Sequence, residues 1–129
     1  MKDSGGGAPV GLIADLGPLE REVVERLRAW DGDGAGRPAD RAFAGLLRLV
    51  AAHCRRPLVR HAPGCPCLGG DEAAIALCVG HAARGERPDA GLIAAWLVRP
   101  EAAARVVTAA EEAGALIGAR WAVPGPTRH

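Results

Sequence analysis

Aromatic residues are nearly missing from this chain, which has no Tyr, one Phe and three Trp among 129 residues. Proteins that bind single-stranded nucleic acid stack bases on aromatic side chains. This chain has few such side chains, which disfavours that function. The formal net charge is only +1, with 16 basic and 15 acidic residues, and it provides no field to steer the chain onto nucleic acid or an anionic membrane. We therefore expect no nucleic-acid function, and we expect the partner to be another protein.

Long apolar runs are missing as well. No window of about 18 apolar residues predicts a membrane-spanning helix. The start of the chain has no apolar stretch long enough for a signal peptide. These absences predict a cytoplasmic protein without a membrane segment, and in a reducing cytosol the four cysteines are expected to be metal ligands or redox groups rather than structural disulfides.

Hydrophobic residues make up 49% of the chain, and Ala, Leu and Val supply most of them. Their spacing follows the helical period and shows no run of strand-like alternation, so the predicted class is all-α, a bundle or orthogonal array of about five helices. Predicted helices begin at Pro18, near Asp40, at Asp71, at Pro88 and at Pro100. We expect a flexible N-terminal segment over 1–17, a helical domain over 18–118 and a flexible C-terminal tail over 119–129.

Three further expectations concern the fourth helix, the tryptophans and the loop before the third helix. The fourth helix is apolar nearly all round and is predicted to be central. Trp30, Trp96 and Trp121 are expected to anchor the core. The stretch from 58 to 70, LVRHAPGCPCLGG, has two Pro and three Gly and predicts an irregular loop that ends with Asp71 as the N-cap of the third helix.

Residues 60–81 contain three of the four cysteines and two of the four histidines. Cys78 and His81 lie three residues apart, which places them on neighbouring turns of one helix. Cys65 and Cys67 precede that helix in a loop with no apolar face to fill. Thiolate and imidazole ligands of this kind form structural zinc sites. The predicted ligands are Cys65, Cys67, Cys78 and His81, with Cys54, His61 and His53 in reserve; an iron-sulfur cluster is the alternative cofactor, and Cu(I) follows it.

Three other interpretations use the same atoms. In a thiol redox switch, Cys65, Cys67 and Cys78 or Cys54 would react, helped by positive charge on nearby Arg side chains and His61. A Cys65–Cys67 disulfide would close a strained ring. Cys54 and Cys78 also suit plain packing on apolar helix faces. A catalytic Cys-His pair is the third reading, but no third orienting residue is evident, so an enzyme is not the favoured class.

The sequence thus predicts a small cytoplasmic all-α protein with a Cys/His metal centre that acts as a regulatory or interaction module. A thiol-based redox sensor and an iron-sulfur protein stay open beside it.

Overall fold

The computed structural model describes residues 8–119 and confirms a small, mainly helical fold with five helices. These are α1 (Pro18–Ala29), α2 (Pro38–His53), α3 (Gly70–Ala83), α4 (Arg87–Leu97) and α5 (Pro100–Gly118). Four of the five begin with proline in the first or second position, where its fixed φ and missing N–H suit a helix start. None of the helices among residues 8–119 combines the length and the hydropathy that crossing a bilayer requires.

The central helix is α3, which packs against α1, α4 and α5, while α2 packs on α5. The expectation that α4 is central was wrong, because Leu92 is 74% exposed and Trp96 is 49% exposed. Only the stripe of Ala90, Ala94 and Leu97 on α4 is buried, at the i, i+4, i+7 spacing of one helical face. Of the other tryptophans, Trp30 is half-buried against the core and Trp121 lies outside the described residues.

A small antiparallel sheet was not predicted. Strand β1 (Pro9–Leu12) pairs with β2 (Cys67–Gly69), with Gly11 opposite Leu68 and a bulge between Pro9 and Gly11. A 3₁₀ turn follows β1, and the backbone N–H of its first residue, Ile13, donates to the carbonyl of Pro66 at 2.9 Å. Residues 8–17, expected to be flexible, are therefore built into the fold, and the part of the predicted loop at 67–69 is a strand.

The rest of the two predicted flexible ends, residues 1–7 and 120–129, lies outside the described part of the chain. The strands escaped prediction because they are four and three residues long and show no alternation. They are stabilised by pairing between segments more than fifty positions apart, which a local pattern does not reveal.

Candidate thiol site

The segment from Val59 to Gly69, called here the cysteine loop, connects α2 to α3 and carries Cys65 and Cys67. Buried Leu58 precedes it, and buried Leu68 lies near its end, so both ends are anchored in the core. Between these anchors the loop has few apolar side chains, and its position depends on polar contacts.

Arg28 of α1 makes the central contact of the loop. Its Nε and Nη2 donate to the two carboxylate oxygens of Glu72 at 2.7 and 2.9 Å. Its Nη1 donates to the carbonyl of Cys65, and Nη2 also donates to the carbonyl of Cys67, both at 2.7 Å. The side chains of Arg28 and Glu72 are 5% and 0% exposed. A buried, bidentate ion pair of this kind fixes the orientation of both side chains in addition to pairing their charges.

Glu72 holds the other side of the loop. Its carboxylate accepts the backbone N–H of His61 at 2.9 Å and that of Gly69 at 3.0 Å, in addition to the Arg28 guanidinium. Burial of the carboxylate opposes ionisation, but the hydrogen bonds from Arg28, Gly69 and His61 outweigh it and hold the pKa of Glu72 below its usual value. Glu72 is therefore ionised at neutral pH, and each of its two carboxylate oxygens accepts hydrogen bonds.

Asp71 fixes the beginning of the loop rather than capping α3. Its carboxylate accepts the backbone N–H of Val59 at 2.8 Å and an Nη2 bond from Arg56 at 2.7 Å. The Arg56 guanidinium also stacks on the Trp96 ring, 4.4 Å from its centroid. The N-cap of α3 is Gly69, not Asp71 as predicted. We call Arg28, Asp71 and Glu72 the polar clamp.

Within the clamped loop, Cys65 lies beside His61. The Cys65 Sγ and the His61 Nδ1 are 3.6 Å apart, within hydrogen-bonding range for sulfur. His61 is 6% exposed, and its Nε2 is buried without a hydrogen-bond partner among the described residues. The backbone N–H of Cys65 donates to the carbonyl of Ala62 at 3.1 Å, so the turn that carries the thiol is closed.

Cys65 is half-buried and opens onto a groove of about 430 Å³. The groove lies between the 3₁₀ turn, α1 and the cysteine loop. Its lining consists of Leu12, Ile13, Ala14, Arg21, Glu25, Arg28, Pro63, Gly64, Cys65 and Pro66. Cys65 thus lines an open groove, with the His61 Nδ1 beside its sulfur.

The two helix-borne predicted ligands lie elsewhere. Cys78 is 2% exposed, its Sγ faces the carbonyl of Ala90 at 3.6 Å, and burial raises the pKa of its thiol to about 11. His81 Nδ1 lies 2.7 Å from a carboxylate oxygen of Glu86. Both side chains turn towards α4 and the turn before it. Cys78 therefore packs in the core, which is one of the interpretations of this residue from the sequence.

The reserve ligands are divided between two places. His61 is in the thiol site, whereas Cys54 and His53 lie where the end of α2 meets the junction of α4 and α5. There Cys54 pairs with Val98 in an isolated β-bridge, and the His53 Nε2 faces the Arg105 guanidinium at 3.5 Å. All four cysteines are free thiols.

The predicted ligands Cys65, Cys67, Cys78 and His81 do not converge on one point. The cysteine loop is tied to the first turn of α3 through Glu72, and Cys78 lies six positions further along, about 9 Å of helical rise. Zinc–sulfur bonds are about 2.3 Å long, so one ion does not span that separation. Metal binding by these four residues remains a prediction from the sequence.

Only one group of three ligand-capable side chains lies within 4.8 Å among residues 8–119. It consists of His81, Glu86 and Asp89. His81 is half-buried and the two acids are exposed. Glu86 already bonds to His81 and to Arg84, and the His81 bond, followed by the Arg84 contacts, outweighs desolvation and lowers the pKa of Glu86. These contacts account for the proximity of His81 and Glu86 without an ion.

Sequence reasoning missed the polar clamp. Arg28 was assigned to the polar face of α1, but it follows buried Val24 by four positions and shares its stripe. Asp71 and Glu72 were interpreted only as helix-start residues. The signal that was available is the i, i+4 spacing, which places a charged residue on a buried face and predicts a buried partner.

Gly69 provides a test of how closely His61 is packed. A Cβ at Gly69 would lie 2.9 Å from His61 Cδ2 and 3.0 Å from Nε2, closer than such contacts tolerate. We expect Gly69→Ala to move the ring away from Cys65 and to lower the free energy of unfolding by about 1–3 kcal/mol. Gly70→Ala is the matched control, because its nearest neighbour is Val10 Cγ1 at 3.9 Å. Chemical denaturation of both variants measures the difference; equal stabilities would contradict this packing.

In comparisons with known proteins, no family model, no curated protein and no solved structure matches the chain.

Proposed function

We propose that this protein is a thiol-based regulatory module of the cytoplasm and that Cys65 is its reactive group. The observation that carries the proposal is that Cys65 lines an open groove while its Sγ lies 3.6 Å from the Nδ1 of buried His61. A reactive thiol needs access, a proton acceptor and a fixed position. The groove supplies the first, His61 the second and the polar clamp the third.

The other three cysteines lack one or more of these features. Cys78 is buried, and with a pKa of about 11 its thiol stays protonated at neutral pH. Cys54 donates its Sγ hydrogen to the carbonyl of Ala51 at 3.4 Å, at the end of α2. Cys67 lies in β2 and is absent from the groove lining. Cys65 is therefore the thiol we expect to react first.

The chemistry we propose is oxidation by a hydroperoxide. His61 takes the thiol proton, and the Cys65 sulfur attacks one peroxide oxygen. The O–O bond breaks, an S–O bond forms, and the leaving hydroxide or alkoxide collects the proton from His61. The sulfur is oxidised to a sulfenic acid, and the peroxide is reduced to water or an alcohol.

A switch suits the site better than an enzyme does. Catalytic Cys-His pairs use a third group to orient the imidazole. Here the far nitrogen of His61, Nε2, has no partner among the described residues. A single oxidation needs one relay of a proton through His61, whereas turnover needs the imidazole to be held in the same orientation through every cycle.

The structure also offers a path by which oxidation changes shape. The cysteine loop contacts the N-terminal segment through the Ile13 N–H to Pro66 carbonyl bond and through β2 pairing with β1. An added oxygen on Cys65 displaces atoms within these contacts. The proposed consequence is a change in the surface around Leu12 and Ile13 that a protein partner can sense.

Hydrogen peroxide treatment with a sulfenic-acid trap, followed by peptide mass spectrometry, tests this function. We expect Cys65 to be trapped first, and we expect His61→Asn, which keeps a polar atom near the thiol but accepts no proton, to slow the reaction by about tenfold or more. Cys67→Ser is the matched control and should leave the rate at Cys65 unchanged. Trapping that is equal at Cys65 and Cys54, or a folded His61→Asn that reacts as fast as the natural protein, would overturn the proposal.

A further inference from the structure

Among the described residues, the groove beside Cys65 has one charge of each sign on α1 that lacks an ion-pair partner. Arg28 also lines it, but its Nε, Nη1 and Nη2 are all engaged by Glu72 and by the carbonyls of Cys65 and Cys67. The charges left for a ligand belong to Arg21 and Glu25.

Arg21 is exposed and anchored on one side only. Its Nη2 donates to the carbonyls of Ala14 and Leu16, both at 3.3 Å. These bonds hold the guanidinium over the 3₁₀ turn at the groove. A guanidinium has five N–H donors, so its Nε and Nη1 stay open to a carboxylate.

Glu25 lies one turn after Arg21 on α1, at the spacing at which opposite charges often pair. No ion pair joins the two within residues 8–119, and Glu25 has no other charged partner there. Its exposed carboxylate is available to an ammonium group. Within the part of the chain that the structure describes, a cation and an anion without ion-pair partners line the groove with Cys65, and they are complementary to a small zwitterion.

We infer that the groove binds a small disulfide with an ammonium and a carboxylate group on each half, and that Cys65 takes one half as a mixed disulfide. This inference depends on the proposed function, because it needs Cys65 to be the reactive thiol. The Cys65 thiolate attacks one ligand sulfur, a new S–S bond forms and the ligand's own S–S bond breaks. The departing thiolate takes the proton that His61 removed from Cys65. The protein sulfur is oxidised, and half of the ligand is reduced to a thiol.

A disulfide from solution is favoured over a second cysteine of the chain as the partner of Cys65. A bond from Cys65 to Cys67 closes a strained ring around Pro66. Cys78 is buried against α4, and Cys54 is held at the α2 end by the β-bridge to Val98. Oxidised Cys65 therefore lacks a well-placed internal partner among the described cysteines.

Four small disulfides test the inference on the full chain. The probes are cystine, which carries both charges on each half, cystamine with ammonium groups only, 3,3′-dithiodipropionate with carboxylates only, and neutral bis(2-hydroxyethyl) disulfide. The rate of mixed-disulfide formation at Cys65 is measured by mass spectrometry and divided by the rate of each probe with a free reference thiol. We expect cystine to give the highest ratio.

Charge-removing variants assign the preference to its residues. Glu25→Gln should lower the ratio for cystine and cystamine by about threefold, and Arg21→Gln should lower it for cystine and dithiodipropionate by a similar factor. The neutral disulfide should be unaffected by both. Arg105→Gln, an exposed change on α5 outside the groove lining, is the matched control.

The possible failures are distinguishable. If Cys65 reacts readily with the neutral disulfide but the four ratios are equal, the ligand inference is overturned and the proposed function stands. If Cys65 reacts with none of the probes while another cysteine does, both are overturned.

Discussion

Glu72→Gln is expected to lower the free energy of unfolding by about 3–5 kcal/mol, the usual cost of removing one partner from a buried ion pair. The substitution keeps the size of the side chain but leaves the Arg28 guanidinium charged in a site where it is 5% exposed. It also weakens the acceptor for the backbone N–H groups of His61 and Gly69. Urea titration followed by circular dichroism measures the loss.

Glu111→Gln is the control for this prediction. Glu111 pairs with Arg87, whose side chain is half exposed, and such surface pairs contribute at most about 1 kcal/mol. Equal losses for the two variants would show that the clamp is no stronger than a surface contact. Adding Arg28→Met to Glu72→Gln should recover part of the stability, because the uncompensated charge is then removed.

The clamp also predicts a pH dependence with a definite sign. Because the pKa of Glu72 is lowered in the folded state, the unfolded chain takes up this proton first as pH falls. The stabilising contribution is therefore complete above the ordinary glutamate pKa of about 4.3 and is lost as pH drops through the lower folded value. Glu72→Gln should flatten this acid limb of the stability curve, whereas Glu111→Gln should preserve it.

Gly114→Val is expected to cost about 2–3 kcal/mol, because α3 and α5 cross with no room for a side chain at this position. A Cβ there would lie 2.9 Å from the Cβ of Ala83 and 3.2 Å from the carbonyl oxygen of Val79. Neither atom is the end of a flexible side chain, so the helices themselves must separate. Thermal and urea unfolding of the purified variant measure the effect.

Gly45→Ala serves as the opposite case. Gly45 lies on the exposed side of α2, and a Cβ there meets nothing within 4 Å. The change should stabilise the protein by about 0.5–1 kcal/mol through helix propensity alone. A Gly114→Val protein as stable as the natural one would mean that α3 and α5 are further apart than described.

The helices were predictable because their signals are local. Proline at Pro18, Pro88 and Pro100 marks helix starts, and apolar stripes such as Val106, Ala110, Ala113 and Ile117 mark the buried face of α5. Burial of α4 was not predictable in the same way. Its composition is apolar all round, and only its placement at the outside of α3 leaves Leu92 in solvent.

The thiol site was half predictable. Clustering of cysteine and histidine pointed to this segment, and Cys65 and His61 do come together there. The choice of Cys78 and His81 as their partners relied on the assumption that the loop folds over the helix. Arg28, 44 positions before Glu72, instead ties the loop to the first turn of α3.

The predicted metal centre and the polar clamp are two different ways of holding the cysteine loop in place. A loop with little apolar content requires a cross-link, and an ion was the cross-link that the residue types suggested. In the structure, carboxylate and guanidinium groups hold the backbone carbonyls and N–H groups directly. In the function that we propose, the Cys65 sulfur is then available to react.

Alkylation of the folded, chelator-treated protein, with and without added zinc, tests this account most directly. Mass spectrometry resolves the rate at each cysteine. We expect Cys65 to react first and Cys78 last, in the same order and with unchanged protein stability whether zinc is present or not. Joint protection of Cys65, Cys67 and Cys78 by one equivalent of zinc, together with a rise in stability, would contradict the account and restore the metal centre.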